Sequence, residues 1–235
     1  MQGLAVAYAE DALYNKAQAL ALQLNLPVDN TAPQQILVTT DQLMLKIRPF
    51  SAMAPDFSWR YWQKRHDEGK KQGLVRACRP RLGLTILDAT AGWGRDAAVL
   101  ASFGAQVILL ERNPIMALLL ADALEQRDLY SKQRLALQLI VQDSNQYLEA
   151  LAEKNYPDVI YIDPMHPPRQ KSALVKKDLQ ILQKLVSPDD EVAALIQLAK
   201  LRIKDRVVVK WPQGLKPLLK PVGSIEGKTI RFDIY

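Results

Sequence analysis

Cysteine and histidine are scarce in this sequence. Its 235 residues include one cysteine, Cys78, and two histidines, His66 and His166, which lie far apart along the chain. A single cysteine cannot form a disulfide bond within the chain, and the three residues do not have the spacing of a metal-ligand cluster. We therefore predict neither an intramolecular disulfide nor a metal site.

Long hydrophobic runs are also missing. The longest runs, such as residues 107–110 and 115–121, are much shorter than the roughly 20 residues that a membrane-spanning helix needs, and the N-terminus has no cleavable signal pattern. The composition, with 49% hydrophobic and 24% charged residues, is typical of a globular protein with one good core and a smaller unit. We expect a cytoplasmic protein without a membrane partner.

Positive charge is in excess, and much of it lies in one segment. The net charge of the chain is +6. Between residues 60 and 81 there are two acidic residues, Asp67 and Glu68, and eight basic ones: Arg60, Lys64, Arg65, Lys70, Lys71, Arg76, Arg79 and Arg81. Trp59, Tyr61 and Trp62 are interleaved with these cations and supply flat rings on which bases can stack. This basic segment predicts contact with a polyanion such as RNA, and a solvated helical face is the alternative.

The first part of the chain predicts a small α+β unit. Leucine and alanine recur at helical spacing over residues 4–24. Residues 36–47 then predict two short strands around a Thr-Asp turn. Because prolines and the basic segment separate this unit from the rest, we place a domain boundary near residue 80, which gives an N-terminal domain of residues 1–80 and a second domain of residues 81–235.

The second domain predicts alternating strands and helices, which is the pattern of a parallel sheet covered on both faces. The predicted strands are residues 84–88, 106–111, 137–142, 158–163 and 206–211. The predicted helices are residues 95–103, 114–127, 144–154, a helical stretch within 174–186, and 188–203. Residues 224–226 and 229–235 predict a terminal hairpin. We therefore expect an α/β fold of the Rossmann-like type.

The first predicted strand of this domain runs into a turn that contains two glycines. Residues 88–97 read Asp-Ala-Thr-Ala-Gly-Trp-Gly-Arg-Asp-Ala, which places Gly92 and Gly94 between a strand and a helix. Glycines let a ligand approach the backbone closely, and a helix N-terminus offers unpaired N–H groups. The spacing also fits the G-x-G-x-x-A fingerprint of dinucleotide sites, so the motif does not separate NAD from S-adenosylmethionine (SAM). Asp88 has a common position for orienting the amino-acid end of SAM, and a tight turn without a ligand is the alternative.

Further acidic residues follow the next two predicted strands. Glu111 lies 23 residues after Asp88, where a carboxylate can accept hydrogen bonds from both ribose hydroxyls of an adenosine cofactor. Its alternative role is an acid at a helix start, before Asn113. Asp143 and Ser144 have the position to bond an adenine amino group, but Asp at a strand end is equally often the N-cap of a helix.

The segment after the fourth predicted strand separates the two kinds of cofactor. Residues 161–168 read Tyr-Ile-Asp-Pro-Met-His-Pro-Pro, a turn made rigid by prolines that has Asp163 at its start. It resembles the D/N-P-P-aromatic motif of amino-group methyltransferases, whose acid or amide and following carbonyl accept hydrogen bonds from the target amine. A dehydrogenase has no use for this turn. The alternative is an Asp-Pro turn that only ends a strand.

Several stretches together resemble one family, the bacterial 16S ribosomal RNA guanine-N2 methyltransferases called RsmJ. The matching stretches are residues 87–96, 110–114, 163–167, 170–177 (Gln-Lys-Ser-Ala-Leu-Val-Lys-Lys), 206–210 (Arg-Val-Val-Val-Lys) and 231–235 (Arg-Phe-Asp-Ile-Tyr). With Asp56-Phe57 and the region of Lys64 and Arg65, the likeness covers about residues 40–235. Residues 170–177 make it specific, because such a stretch after an Asp-Pro-Met turn is not a general Rossmann feature.

The resemblance implies a Rossmann-like class I methyltransferase fold that transfers a methyl group from SAM to the N2 amino group of a guanine in 16S ribosomal RNA or the small subunit. It implies that the cofactor is contacted by Arg95, Asp96, Glu111, Arg112, Asp143, Ser144 and Asp163, in addition to the loop positions Asp88, Gly92 and Gly94. The predicted catalytic site consists of Asp163, Pro164 and His166. His166 stands where the family has an aromatic residue, and Asp143 stands where it tends to have a small hydroxyl residue.

Two functions of other classes remain open from the sequence. An NAD-dependent oxidoreductase would share the glycine turn and Glu111 but leaves the Asp163 turn without a purpose. A non-catalytic RNA-binding module would keep the basic segment and bind no nucleoside cofactor.

Overall fold

The N-terminal residues form a three-stranded sheet with one helix. The computed structural model describes residues 3–164 and 192–235. The strands β1 (Leu4–Tyr8), β2 (Gln34–Val38) and β3 (Leu43–Ile47) lie in this order, and helix α1 (Tyr14–Leu24) connects β1 with β2. β1 and β2 are parallel, whereas β2 and β3 are antiparallel. The two strands that the sequence predicts within residues 36–47 are confirmed.

The prediction that the first helix begins at residue 4 is wrong for residues 4–8. Leu4–Tyr8 form β1, in which Val6 pairs with Ile36 of β2 and is fully buried. A short run of leucine, alanine and valine fits either a helix or a buried strand, and here pairing with β2, which is distant in the sequence, decides between them. Helix α1 begins only at Tyr14.

The second sheet has seven strands in the order β6-β5-β4-β7-β8-β10-β9. They are β4 (Thr85–Asp88), β5 (Gln106–Leu110), β6 (Leu137–Ile140), β7 (Val159–Ile162), β8 (Arg206–Pro212), β9 (Gly223–Glu226) and β10 (Ile230–Ile234). Strands β4 to β8 are parallel, and β10 is antiparallel to both β8 and β9. The predicted α/β fold, its five parallel strands and its terminal hairpin are confirmed.

Seven further helices accompany these strands within the described residues. They are α2 (Trp59–Glu68), α3 (Gly73–Cys78), α4 (Arg95–Ser102), α5 (Pro114–Glu125), α6 (Leu129–Arg134), α7 (Ser144–Ala150) and α8 (Val192–Lys200). As predicted, Asn113 caps α5: its side-chain oxygen accepts hydrogen bonds from the N–H groups of Ile115 and Met116, and Pro114 takes the first helical position. The predicted helical stretch within 174–186 and the first residues of the predicted helix 188–203 lie outside the described residues.

Apolar side chains cover both faces of the seven-stranded sheet. On one face, residues of α2, α3 and α4, such as Trp62, Leu74 and Leu100, pack against β4, β7 and β8. On the other face, α7 and α8 pack through Leu148 and Ile196. A third cluster joins the N-terminal sheet to α5 and to the turn after β4.

The packing of α2 and α3 bears on how the chain is divided. Phe57, Trp62 and Leu74 belong to the same hydrophobic cluster as the seven-stranded sheet, although they precede residue 80. The boundary near residue 80 stays a prediction.

Among the described residues, none of the helices has both the length and the apolar character needed to cross a membrane.

Candidate active site

Four strands of the larger sheet bring charged side chains to one edge. Asp88 ends β4, Glu111 follows β5, Asp163 follows β7, and Lys210 lies near the end of β8. Strand order reverses at β4, since β5 and β6 lie on one side of it and β7 and β8 on the other. In open α/β sheets ligands bind at the carboxyl ends of the strands at such a switch point.

The turn after β4 has glycine at two positions with a positive φ angle. Gly92 and Gly94 have φ angles of 53° and 68°, which lie in the left-handed region. A Cβ atom at Gly94 would lie 2.5 Å from Cζ of Phe57, so no side chain fits there while this ring is in place. The backbone N–H of Gly94 donates to the carbonyl of Ala91 at 2.8 Å. The turn therefore brings bare backbone to the N-terminus of α4, while its role as a ligand cradle stays a prediction.

Side chains from other elements fix this turn in place. Ser144 donates its hydroxyl hydrogen to the carbonyl oxygen of Ala89 at 2.5 Å. Trp93 is only 5% exposed and packs among the side chains of the third cluster, with Met116 and Leu119 of α5. The turn is thereby held between α7 and the third hydrophobic cluster.

Glu111 contacts the same turn through its carboxylate. Oε2 accepts a hydrogen bond from the backbone N–H of Gly92 at 3.1 Å, and Oε1 accepts from that of Asn113 at 2.8 Å. Burial raises the pKa of Glu111, and these two N–H groups oppose the rise. A carboxylate has about four acceptor positions, so these two bonds leave acceptor capacity for ribose hydroxyls.

Asp143 has the helix-capping role that the sequence left open. Its Oδ1 accepts from the backbone N–H groups of Asn145 and Gln146 at 3.0 and 3.3 Å. Its Oδ2 pairs with Nη1 of Arg112 at 3.2 Å. The cap starts α7 and so positions Ser144 against the turn after β4, while contact of Asp143 with adenine stays a prediction.

Asp163 is held close to the glycine turn. Its backbone N–H donates to Oγ1 of Thr90 at 2.6 Å, and its Oδ2 lies 2.6 Å from Nζ of Lys210. Pro164 follows and restricts the backbone at this position. The third residue of the predicted catalytic site, His166, lies outside the described residues.

Asp96 lies at the centre of a network of ion pairs. Its Oδ1 is 2.8 Å from Nη1 of Arg65, and its Oδ2 accepts from the hydroxyl of Tyr161 at 2.7 Å and from Nζ of Lys210 at 3.2 Å. Burial opposes ionisation of Asp96, but Lys210, Arg65 and Tyr161 outweigh it and hold the pKa of Asp96 well below its usual range. Asp96 therefore stays ionised and links α2, α4, β7 and β8.

The sequence patterns do not by themselves assign three residues to this site, namely Thr90, Tyr161 and Lys210. Lys210 had a visible signal, since it is a cation at the end of a strand whose preceding residues, Val207, Val208 and Val209, are apolar. Arg65 belongs to the basic segment, and its pairing with Asp96 depends on the packing of α2 against α4. Thr90 and Tyr161 gave no signal that separates them from ordinary turn and core residues.

Asp88 is an acid that burial keeps largely protonated. Its side chain is 2% exposed, and burial, reinforced by the nearby carboxylates of Asp96 and Asp163, raises its pKa to about 8. The N–H of Thr90, which donates to Oδ1 at 3.1 Å, opposes this rise. At neutral pH the cofactor-free protein thus carries mainly a neutral carboxyl group at this position.

Stability of the cofactor-free protein should therefore fall as the pH rises past the range of an ordinary Asp. The pKa of Asp88 in the fold is above its unfolded value, so the folded state binds the extra proton between about pH 4 and 8 and loses that advantage as the pH increases. Relative to Asp88→Asn, which cannot titrate, the wild type should lose roughly 1.4 kcal/mol of unfolding free energy per pH unit in this window. Urea denaturation of both proteins from pH 5 to pH 8 measures this.

The control for this prediction is Asp143→Asn. An asparagine there still caps α7, so the variant changes one carboxylate of the same sheet edge without changing a deeply buried one. Parallel curves of stability against pH for the wild type and Asp88→Asn would contradict the prediction.

The aromatic residues of the basic segment do not all face solvent. Trp62 is 2% exposed, and its indole N–H donates to Oγ of Ser131, so the prediction that it offers a ring to RNA is wrong. Trp59 packs edge-on against Trp62 and Tyr130. Tyr61 is 39% exposed, and the guanidinium of Arg95 lies 5.7 Å from its ring centre. The exposed surface of α2 next to the glycine turn thus combines one tyrosine ring with several cations.

Among residues 3–164 and 192–235, no group of three or more His, Cys, Asp or Glu side chains is arranged to hold a metal ion. The chemistry of the described site comes from carboxylates, an ammonium group, guanidinium groups, hydroxyls and backbone N–H groups.

Comparisons with known proteins agree with this architecture. The family model SAM_MT, for SAM-dependent methyltransferases, matches residues 19–235. The chain is 58% identical over 231 residues to ribosomal RNA small subunit methyltransferase J of Legionella pneumophila (strain Corby), a match that covers 98% of this chain and 95% of that protein. It is 42% identical over 250 residues to the protein of the same name from Coxiella burnetii (strain Dugway 5J108-111), with 99% and 96% covered. The crystal structure of a SAM-dependent methyltransferase of Neisseria gonorrhoeae superimposes with a TM-score of 0.74 at 26% identity and covers 98% of this chain and 94% of the other.

Proposed function

The chain belongs to the ribosomal RNA small subunit methyltransferase J family of SAM-dependent methyltransferases, and from this premise we propose that it methylates the N2 amino group of a guanine in 16S ribosomal RNA. The cofactor is SAM. The finer parts of the proposal are the guanine N2 target, the residues that carry the reaction, and a cytoplasmic place of action.

The donor groups at the edge of the sheet fit SAM. Glu111 has acceptor capacity for two ribose hydroxyls and touches the glycine turn. Gly92 and Gly94 expose backbone at the N-terminus of α4, beside the buried Asp88, where the amino-acid end would bind. Asp143 and Ser144, together with Arg112, would lie along the adenine. When bound, SAM supplies an electrophilic methyl group on a sulfonium sulfur.

The observation that carries the proposal is the place of Asp163. It follows β7 at the switch point, and its N–H is bonded to Thr90 of the same turn that would hold the cofactor. An acid in this place can accept a hydrogen bond from an exocyclic amine that lies next to the methyl donor. The carbonyl of Pro164 would be the second acceptor.

The residues of the site mainly have to align the target. The lone pair of the guanine amine is delocalised into the ring, and acceptors at Asp163 and Pro164 favour the pyramidal nitrogen that forms the new bond. SAM, when bound, would supply the methyl group to this nitrogen and leave as the neutral thioether S-adenosylhomocysteine, and the methylated amine would lose one proton to water. Alignment of the reacting atoms can supply on the order of 7 to 11 kcal/mol. The base has to be unpaired or flipped out to reach this edge.

Membership of a methyltransferase family does not favour the two alternatives from the sequence. An NAD-dependent oxidoreductase has no need of the Asp163 turn. A non-catalytic RNA-binding protein has no need of a carboxylate that touches a glycine turn.

The test is to map N2-methylated guanines in 16S ribosomal RNA from cells with the gene, without it and with it restored. We expect one guanine to lose its methyl group in the deletion strain and to regain it on restoration. The purified protein with labelled SAM should then modify that guanine in small subunits or free RNA prepared from the deletion strain. Identical methylation in all three strains would refute the proposed function.

A further inference from the structure

We propose that Lys210 is the positioning residue of the target site: its ammonium group holds the Asp163 carboxylate in place and ionised, by a contact that it shares with Asp96. The inference rests on the role of Asp163 in the proposed function.

The backbone pairing of the sheet brings Lys210 and Asp163 together. β7 and β8 are parallel, and Ile162 pairs with Val209, so the two charged residues occupy the next position of the same register. Nζ of Lys210 lies 2.6 Å from Oδ2 of Asp163 and 3.2 Å from Oδ2 of Asp96. Because register fixes this contact, it differs from a pairing of two flexible surface side chains.

The second carboxylate that contacts Lys210, that of Asp96, is also fixed in position. Asp96 is held by Arg65 at 2.8 Å and by the hydroxyl of the fully buried Tyr161 at 2.7 Å. The ammonium group therefore lies between two carboxylates, one of which is anchored to the helices. The ammonium group of Lys210 is therefore fixed in position, and so is the carboxylate of Asp163 that it contacts.

Lys210 cannot serve as the base of the reaction. Burial would lower the pKa of Lys210, but the carboxylates of Asp96 and Asp163 outweigh it and raise that pKa above the usual range. An ammonium group has no lone pair with which to take a proton from an amine. Its effect on the reaction must therefore pass through the carboxylates that it contacts.

Without Lys210 the local charge would favour protonation of a carboxylate. Besides Asp163, the titratable and charged groups that the described residues bring to this cluster include Asp88 of β4, Asp96 of α4, Tyr161 of β7, Lys210 of β8, Arg65 of α2 and Cys78 of α3. The ionised carboxylate of Asp96 contacts the same ammonium group as Asp163, and a like charge nearby disfavours ionisation of Asp163. A protonated Asp163 would be a weaker acceptor for the target amine.

The test is the pH dependence of single-turnover methylation for the wild type, Lys210→Met and Lys210→Arg. In Lys210→Met the low-pH half-point of the rate should move up by roughly 1 to 3 pH units, because the carboxylate loses the ammonium group that lies 2.6 Å from it. Lys210→Arg keeps the charge and should keep the wild-type half-point. The affinity for RNA should not change in either variant. A loss of rate in Lys210→Met with the half-point unmoved would mean a merely structural role and would overturn the proposal.

A second measurement does not depend on activity. Carbon-13 spectra of protein labelled at the aspartate carboxyls, with Asp163→Asn to assign the signal, follow the titration of Asp163 directly. It should titrate at higher pH in Lys210→Met than in the wild type, and an unchanged titration would overturn the proposal. If the wild type transfers no methyl group, the proposed function fails, whereas this spectrum still decides whether Lys210 controls the charge of Asp163.

Discussion

Asp163→Ala is expected to lower the single-turnover rate of methyl transfer by roughly two orders of magnitude, which corresponds to about 3 kcal/mol of lost transition-state stabilisation. The reason is that a charge-assisted hydrogen bond to the amine strengthens as the nitrogen becomes pyramidal. RNA and cofactor affinities should change much less, because the bond is formed mainly in the transition state. Small subunits from a strain that lacks the gene are the substrate, and RNA and cofactor dissociation constants are measured alongside.

Two further variants make this result specific. Asp163→Asn should have an intermediate rate, since an amide oxygen accepts a hydrogen bond without a charge. Asp158 provides a matched control at the opposite end of β7, where its Oδ2 accepts from the N–H of Thr85 at 2.8 Å. Asp158→Asn should transfer methyl groups at the wild-type rate. Full activity in Asp163→Ala would overturn the assignment, and a loss confined to cofactor affinity would make Asp163 a binding residue only.

The second large effect is expected for the basic segment. Arg60, Lys64, Lys70 and Lys71 are exposed, whereas Arg65 pairs with Asp96 and is left unchanged in this experiment. Replacing these four residues by glutamine should make the log–log salt dependence of RNA binding shallower by roughly 0.7 to 0.9 for each lost phosphate contact. If all four contact phosphates, affinity near physiological salt should fall on the order of a hundredfold. Filter binding over a range of salt concentrations measures both quantities.

A second variant with the same change of net charge distinguishes direct phosphate contacts of the basic segment from the general attraction between a positively charged protein and RNA. Lys16, Lys132, Lys154 and Lys200 are exposed lysines outside the basic segment. Their replacement by glutamine removes four charges as well, but it should leave the salt slope near that of the wild type. Equal slopes in the two quadruple variants would show that the segment is a solvated face. Binding of S-adenosylhomocysteine should be unchanged in both.

The acids of the site were predictable from the sequence because each one follows an apolar strand. Asp88, Glu111 and Asp163 come at the ends of short runs of buried residues, and parallel strands carry their carboxyl ends to one edge. A predicted parallel sheet is therefore enough to place these three acids near one another. The contacts that hold them, such as the N–H of Gly92 on Glu111, follow from turn geometry that the sequence does not display.

The errors came from contacts between residues that are distant in the sequence. Leu4–Tyr8 form a strand because they pair with β2, and the sequence of these five residues does not indicate that pairing. Trp62 is buried because α2 packs against α4 and α6, although cationic residues stand on both sides of it in the sequence. In the same way, Arg65 pairs with Asp96 across two helices. A pattern of residue types predicts elements, but the partner of a long side chain depends on how these elements pack.

The contact between Gly94 and Phe57 limits the order in which these two positions can change during evolution. A side chain at position 94 would meet the Phe57 ring at 2.5 Å and would also have to accept a φ angle of 68°. Replacement of Phe57 by a smaller residue must therefore precede any replacement of Gly94, and asparagine is the substitute that best tolerates this backbone angle. Natural variants of this protein should include some with a small residue at position 57 and glycine at position 94. None should have phenylalanine at position 57 together with a residue other than glycine at position 94.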